Sequence, residues 1–376
     1  MAEAENDGIR RLAAEGVSPW LDGTSQELLR SSRLMSLIEE GVLRGVTSNV
    51  DTLSAAVADD WHYRERLKSL AERKVSAELA VRSLSAYDAR LACAELRPQF
   101  ETGGQLDGCV SIDLGPVPAG DVEPAVREAV ELSRLVNRPN LLVKIRAAEQ
   151  TLHVIRKCLG AGIGVHVSDI VSVRRYRDVL DAGFDGLELA ADIGLPLPRI
   201  GMVTSLPVGR IDAEFDARLD VVGTTAARAL RGQGSLAIAR LAYGVYDRRL
   251  GTDRWRALRG AGARPPRLMW TDTAMSDPAR PATWYADEFV AWGTASAMSP
   301  ATLDAVGRGS KLHGDTLTGQ DDQASAVLAE FERLGVSGSA VADRLDSTTA
   351  RRHAHAWRKL RDQVSVQLHA AGWTPH

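Results

Sequence analysis

Lys144 is the residue whose type and position most directly suggest chemistry. It lies in the run NLLVKI (residues 140–145), which has the composition of a buried β-strand. An ammonium group there is costly unless it is paired or deprotonated. Burial favours the neutral amine, which attacks carbonyl carbons to form a Schiff base. The residues also allow a second interpretation, a strand-end lysine that extends towards solvent or pairs with a carboxylate.

Other polar residues stand at or near the ends of further strand-like runs. Asp22, Asp113 and Ser168 are candidates for proton transfer, which is needed both to form an imine and to cleave a C–C bond. The alternative is that such residues cap the helices that follow. The remaining polar residues in comparable positions are Asn49, His166, Ser205, Arg210, Asp272 and Ser296. His166 and Ser168 alternate, so their side chains are expected on the same face of one strand.

Eight strand-like runs alternate with helical stretches. The first, GVSPWLD (16–22), is the weakest because Pro19 interrupts it. The others are RGVTSN (44–49), DGCVSIDL (107–114), NLLVKI (140–145), GIGVHVSD (162–169), RIGMVTSLPVGR (199–210), PRLMWTD (266–272) and GTASAMS (293–299). This order predicts an α/β protein, a single (β/α)8 TIM barrel with its chemistry at the carboxyl ends of the strands. The rival is an open doubly wound sheet, but its usual GxGxxG and GxxxxGK[ST] motifs do not occur.

The helical stretches supply the outer layer of the predicted barrel. Thr24 and Glu27 have capping-box spacing, which predicts the start of a helix. One long helix is predicted through residues 224–251. From about Gln320 the chain is predicted to be helical and to wrap the barrel, so that residues 1–376 form one domain.

Composition narrows the class of protein. Apolar residues make up 44% and the formal net charge is −3, which is ordinary for a globular enzyme and gives no indication of nucleic acid or membrane binding. No apolar run approaches the roughly 20 residues of a membrane span, and MAEAENDGIRRLAAEG lacks the apolar region of a signal peptide. Cys93, Cys109 and Cys158 are widely spaced, so we expect reduced core thiols in a cytoplasmic protein.

Six blocks of the sequence, in order, resemble the transaldolase family in its longer bacterial form. They are GVSPWLD, GVTSN, DGCVSID, RPNLLVKI, LRGQGSLAIARLAY and GARPPRLMW. The resemblance covers most of the chain, and several blocks fall on predicted strands. It implies a barrel enzyme of carbohydrate metabolism that forms a Schiff base and needs no metal or organic cofactor.

The resemblance also implies roles for individual residues near the imine. The family's Schiff-base lysine falls on Lys144, and the aspartate that assists C–C cleavage falls on Asp22. The donor-binding asparagine falls on Asn49. The family has a glutamate as acid and base where Asp113 stands here, and this change shortens the side chain by roughly 1.5 Å.

Further positions of the resemblance concern substrate binding. His166 and Ser168 stand where the family has an asparagine and a threonine. The serine and the phosphate-binding arginine of the sixth-strand block fall on Ser205 and Arg210. Ser276 stands where the family has a second phosphate-binding cation. Arg146 is a candidate to replace that lost cation.

Three functional hypotheses follow from these residues. The first is a class I transaldolase or aldolase that transfers a dihydroxyacetone-type unit from a ketose donor to an aldehyde acceptor, sugar phosphates included. The second is a specialised-metabolism lyase or condensing enzyme that uses Lys144 on an unphosphorylated carbonyl compound. The third is a catalytically degenerate barrel that serves in binding or regulation. The chain is expected to act as a monomer or a homodimer.

The segment HAHAWRK invites a metal interpretation through His353 and His355. Residues two apart on a helix point in different directions, so a solvated helix surface is the preferred interpretation. No other spacing of ligand residues suggests a metal.

Overall fold

Eight parallel strands close into a barrel in sequence order. The computed structural model describes residues 6–59, 61–117 and 122–372. The strands are β1 (Val17–Asp22), β2 (Gly45–Thr47), β3 (Cys109–Asp113), β4 (Leu141–Arg146), β5 (Val165–Ser168), β6 (Met202–Pro207), β7 (Arg267–Thr271) and β8 (Thr294–Met298). Each strand pairs with the next, and β8 pairs with β1. The predicted TIM barrel is confirmed, including its weak first strand, and the open sheet is wrong.

Helices surround the barrel. In the first half these are α1 (Asp7–Ala14), α2 (Gln26–Leu29), α3 (Ser32–Glu39), α4 (Val50–Asp59), α5 (Trp61–Glu72), α6 (Ala77–Glu95), α7 (Arg97–Thr102), α8 (Glu123–Val136), α9 (Thr151–Gly160) and α10 (Val173–Asp192). In the second half they are α11 (Val208–Val222), α12 (Thr225–Ala229), α13 (Gly234–Leu250), α14 (Asp253–Gly260), α15 (Trp284–Glu288), α16 (Pro300–Gly309), α17 (Asp321–Arg333) and α18 (Gly338–Ala370), with a 3-10 turn at Leu197–Arg199.

The predicted cap by Thr24 is wrong. The hydroxyl of Ser25 accepts the hydrogen bond from the Leu28 amide and begins α2. The helix ends at Leu29, and a new one begins after Ser31, whose hydroxyl accepts from the Leu34 amide. Serine is a strong N-cap, and the second cap begins a separate helix.

The single long helix predicted over 224–251 is also wrong. It is divided into α12 and α13 by a short connection in which Gly232 has φ of 67°. This left-handed conformation suits glycine and cannot continue a right-handed helix. Apolar periodicity persists on both sides of the break, which explains the error.

Side chains alternate along each strand between the helix layer outside and the barrel interior, and those inside form three levels. Outward residues of β3 and β4 such as Ile112, Val143 and Ile145 pack under the helices. The inward residues of β3 to β6 run from the amino ends of the strands to the carboxyl ends. They are Cys109, Leu142 and Val203 at the apolar level, Ser111, His166 and Ser205 at the middle level, and Asp113, Lys144 and Ser168 at the top.

The amino end of the barrel is filled by Trp20, which is fully buried. Its indole Nε1 donates to the Ser18 hydroxyl at 3.1 Å, and that hydroxyl donates to Asp107 Oδ1 at 2.7 Å. Asp107 in turn pairs with Arg267 at 3.3 Å. The indole leaves so little space beside β2 that the strand begins with Gly45.

The last helix, α18, is 33 residues long and packs against α4, α5, α6 and α11. Leu360, Val364 and Leu368 join a buried cluster with residues of α4 to α6. The predicted C-terminal helices are therefore confirmed as a layer on the barrel. One domain over 1–376 stays a prediction for the whole chain, because residues 1–5, 60, 118–121 and 373–376 lie outside the described residues.

The contact between Gly45 and Trp20 yields a stability prediction. A Cβ at Gly45 would lie 2.3 Å from indole ring atoms, so Gly45→Ala must displace the indole or β2. We expect urea denaturation to show a loss of about 1–3 kcal/mol in the free energy of unfolding.

The matched control is Gly260→Ala at the end of α14, where a Cβ meets nothing within 4 Å. That variant should be neutral or slightly stabilised. Equal stability of the two variants would show that the indole is not tightly confined.

Candidate active site

A cavity of about 240 Å³ opens at the carboxyl ends of the strands. Seven of the eight site residues predicted from the sequence line it, namely Asp22, Asn49, Asp113, Lys144, Ser168, Ser205 and Arg210. His166 is not in the lining. The location is the one at which barrel enzymes carry their chemistry.

Lys144 projects into this cavity from β4. Its Nζ donates a hydrogen bond of 2.8 Å to the Ser48 carbonyl oxygen and lies 3.5 Å from Asp113 Oδ1. The side chain is 16% exposed, so it is neither sealed in the core nor free in solvent. The lysine therefore has the carboxylate partner of the second interpretation, and it remains accessible to a ligand, as the first interpretation requires.

Asp113 is held beside Lys144 by the neighbouring strand and by Ser48. The two residues are register partners on β3 and β4. The Ser48 hydroxyl donates to Asp113 Oδ2 at 2.6 Å and accepts from the Asp113 amide at 2.9 Å. Ser48 thus contacts both members of the pair, through its hydroxyl and its carbonyl. It follows β2 in the GVTSN block, where sequence analysis selected only Asn49.

Asp22 stands at the end of β1 facing the same cavity. Burial raises the pKa of its carboxyl above the ordinary value, although the charge of Lys144 and a hydrogen bond from Asn49 oppose this. The Asn49 amide oxygen accepts from the backbone amides of Asp51 and Thr52 at 3.0 and 3.4 Å. Asn49 therefore caps α4 with its oxygen while it also bonds Asp22, which combines the capping and site interpretations.

His166 lies one level below the cavity and is fully buried. Its Nδ1 is 2.8 Å from the Ser111 hydroxyl and its Nε2 is 2.9 Å from the Ser205 hydroxyl. Burial, aided by the charge of Lys144, holds the pKa of the imidazole well below its ordinary value. The neutral ring links two hydroxyl groups, one of which, that of Ser205, belongs to the cavity lining.

Arg210 is paired with two carboxylates at the cavity. Its guanidinium is 2.7 Å from Asp169 Oδ1 and 3.5 Å from Asp272 Oδ2. Both aspartates have φ of 58°, a left-handed conformation at the ends of β5 and β7. Asp169 also accepts a 3.4 Å bond from the Ser168 hydroxyl. Asp272 is among the strand-end residues selected from the sequence, whereas Asp169, which follows β5 in the same way, is not.

The C-terminal helix α18 contributes Thr349, Arg352 and His353 to the cavity. His353 accepts a hydrogen bond of 3.0 Å from the Trp357 indole, and burial lowers the pKa of its imidazole. The predicted solvated surface holds for the exposed His355 but is wrong for His353. Thr349 and Arg352 carry no signal in the sequence, and His353 is considered there only as a metal ligand, because only the packing of α18 brings these residues to the cavity.

Two positions considered for substrate anions lie apart. Arg146 lines the cavity. Ser276 lies instead in a separate depression with Asp212 and Arg231. Within 6–59, 61–117 and 122–372, no group of three His, Cys, Asp or Glu side chains is arranged to hold a metal ion. None of the helices in these ranges combines the length and apolar character needed to cross a bilayer. The three cysteines are buried and unpaired, as predicted.

Comparison with known proteins matches most of the chain to one family. The family described as Transaldolase/Fructose-6-phosphate aldolase matches residues 19–364. "Transaldolase 1" of Streptomyces avermitilis is 41% identical over 366 residues, which are 97% of either chain. "Transaldolase" of Thermobifida fusca is 43% identical over 362 residues, 96% of this chain and 98% of the relative. "Transaldolase" of Mycobacterium marinum is 39% identical over 368 residues, 98% of this chain and 99% of the relative.

The raised pKa of Asp22 yields a prediction about stability. Since the folded protein disfavours the carboxylate, ionised Asp22 destabilises the fold above its raised pKa, and the penalty vanishes below 3.8, where both states are protonated. Asp22→Asn, which resembles the protonated form, should therefore be more stable than the parent at pH 7. The gain should disappear as the pH falls towards 3.5 in urea unfolding.

The control is Asp304→Asn, in an exposed ion pair with Arg33. It should change the free energy of unfolding by less than about 0.5 kcal/mol. A loss of stability in Asp22→Asn at pH 7 would mean that its interactions with Lys144 and Asn49 outweigh burial.

Proposed function

Because the chain belongs to the transaldolase/fructose-6-phosphate aldolase family, we propose that it transfers a dihydroxyacetone-type unit from a ketose to an aldehyde. It is accordingly a transaldolase-like transferase of the class I aldolase type. The observation that carries the assignment is the placement of Lys144 Nζ in the barrel mouth, 3.5 Å from Asp113, with Asp22 lining the same cavity.

The first step joins the donor ketose to Lys144. The neutral amine attacks the C2 carbonyl carbon, and loss of the resulting hydroxyl as water leaves a protonated imine. We assign to Asp113 the transfer of one proton from the Lys144 ammonium, which frees the amine for attack, to the hydroxyl that leaves. The second proton of the released water comes from the attacking nitrogen. At 3.5 Å the Asp113 carboxylate is beyond hydrogen-bond length, so a small shift or one bridging water must complete the transfer.

The second step cleaves the bond between C3 and C4 of the donor. Asp22 as a carboxylate takes the proton of the C4 hydroxyl, the aldehyde fragment forms, and the bonding electrons pass to the protonated imine. The three-carbon enamine remains on Lys144 until an acceptor aldehyde adds by the reverse sequence. A carboxyl whose pKa lies above the ordinary value is a stronger base once ionised, which suits Asp22 to this step.

The remaining residues fit supporting roles. Asn49, Ser168 and Ser205 line the cavity, and we assign their polar groups to binding of the donor. His166 is assigned a positioning role, because it holds Ser205 from below and does not line the cavity. Arg210 stands on α11, three residues beyond the end of β6, and we assign it to the remote end of a donor or acceptor.

The degenerate-barrel hypothesis is less well supported by this arrangement. Lys144, Asp22 and Asp113 converge on one accessible cavity, and Ser48 holds two of them in place. A lyase or condensing reaction would use the same imine. The difference lies in the substrate rather than in these residues.

Borohydride trapping tests the imine directly. The protein is mixed with dihydroxyacetone, fructose or fructose 6-phosphate, reduced, and examined by intact and peptide mass. We expect a three-carbon or six-carbon adduct on the peptide that contains Lys144, absent in Lys144→Ala.

The control is Lys157→Ala, at a lysine on α9 that pairs with Glu123 at the surface. This variant should be labelled like the parent. Adducts lost equally in both variants, or none with any of the three sugars, would contradict the imine assignment.

Substitution of Asp22 separates the two steps. In Asp22→Asn we expect imine trapping with dihydroxyacetone to persist, because carbinolamine chemistry is assigned to Asp113. Turnover of a ketose donor should fall by about 10²- to 10⁴-fold, the usual contribution of a general base. Trapping lost together with turnover would place Asp22 in imine formation instead.

A further inference from the structure

The outer part of the cavity is built around a guanidinium that already has its counter-ions. We call Arg210, Asp169, Asp272 and Arg352 the outer subsite. Arg210 has a charge-assisted bond of 2.7 Å to Asp169 and a 3.5 Å contact with Asp272. Two carboxylates on one guanidinium leave little positive charge for an anionic ligand.

Asp169 is ionised in this setting and held in place. Burial alone would raise the pKa of its carboxyl, but the charges of Arg210 and Lys144 outweigh this and leave the pKa below its ordinary value. Only 15% of its side chain is exposed. Its left-handed backbone, with φ of 58°, recurs in Asp272, so both aspartates have the same conformation at a strand end and both contact Arg210.

The other cations of the cavity do not restore a positive surplus. Arg352 is exposed on α18 and close enough to Arg210 for the two charges to repel. Arg146 stands at the end of β4, and its charge acts on Asp346 of α18. Over the whole lining, five carboxylates face four cations: Asp22, Asp51, Asp113, Asp169 and Asp272 against Lys144, Arg146, Arg210 and Arg352.

A phosphate and a hydroxyl group would meet this subsite differently. A phosphate dianion would have to approach two carboxylates or separate them from Arg210. A sugar hydroxyl can donate to Asp169 or Asp272 and accept from Arg210 with no change in net charge. The alternation of fixed acceptors and donors therefore suits a polyol chain.

We propose that the outer subsite binds the hydroxyl-bearing end of an unphosphorylated sugar, so that the donor is a neutral polyhydroxy ketone. This inference rests on the proposed function, because it concerns the donor that forms the imine on Lys144. Asp169 and Asp272 are the specificity determinants, since they neutralise the guanidinium that faces the ligand.

The test compares fructose with fructose 6-phosphate as donors for the full-length protein, at equal ionic strength and with one acceptor aldehyde. We expect kcat/KM to favour fructose by about tenfold or more, and inorganic phosphate to inhibit weakly. In Asp169→Asn the preference should move towards fructose 6-phosphate by about tenfold, and phosphate inhibition should strengthen.

Asparagine is the substitution of choice because it has nearly the size of aspartate and tolerates a left-handed backbone. Asp272→Asn should shift the preference in the same direction, and the double variant should shift it further. The control Asp304→Asn removes one negative charge at an exposed site on α16 and should leave the preference unchanged.

The outcomes separate the two proposals. A parent enzyme that prefers fructose 6-phosphate, with a normal adduct on Lys144, overturns the neutral-donor proposal and leaves the imine mechanism standing. An unchanged preference in both aspartate variants overturns the role of Asp169 and Asp272. No adduct on Lys144 with either sugar overturns the proposed function and, with it, this inference.

Discussion

The ion pair between Lys144 and Asp113 is the constraint on which the rest of the site depends. An amine inside a barrel must have partners, yet a nucleophile must also remain reachable. The structure meets both requirements with one carboxylate at 3.5 Å and the Ser48 carbonyl at 2.8 Å. Asp113 and Lys144 are register partners on the adjacent strands β3 and β4, which brings the two charges together. The hydrogen bond from the Ser48 hydroxyl holds the Asp113 carboxylate in this position. Other polar groups of the cavity are arranged around this pair.

A hydrogen-bonded layer beneath this ion pair separates the polar cavity from the apolar interior of the barrel. Ser111, His166 and Ser205 form a hydrogen-bonded chain across three strands, between the charged level and the apolar one. A neutral imidazole with both nitrogens engaged can be buried with little penalty, whereas a charged one could not. The lowered pKa of His166 is thus a consequence of the layering. Below it, Trp20 fills the amino end, which leaves the carboxyl end as the place for the cavity.

Carboxylates compensate the positive charges both at the centre of the cavity and at its edge, but the roles that we assign to them differ. At the centre, Asp113 and Asp22 stand close to the single amine, and the proposed mechanism assigns the proton transfers to them. Further out, Asp169 and Asp272 compensate Arg210 in the same way, although no proton transfer is assigned there. We therefore assign the outer carboxylates to the choice of ligand rather than to the reaction. One barrel can in this way keep its chemistry while its substrate class changes, because the two sets of carboxylates belong to different strand ends.

The sequence alone determined the barrel and the family. Seven of the eight site residues that it predicts line the cavity. Alternating strand and helix patterns leave few topologies for eight strands, and the closed barrel gathers strand-end residues at one edge. Tertiary structure alone decided the rest. His166 is predicted to share a face of β5 with Ser168, but its depth, set by hydrogen bonds to hydroxyl groups on both sides, keeps it out of the cavity lining. Arg210 pairs with Asp169 across two strand ends, and His353 reaches the cavity from a helix that begins almost two hundred residues after Lys144. Both contacts depend on distances between segments that no local pattern encodes.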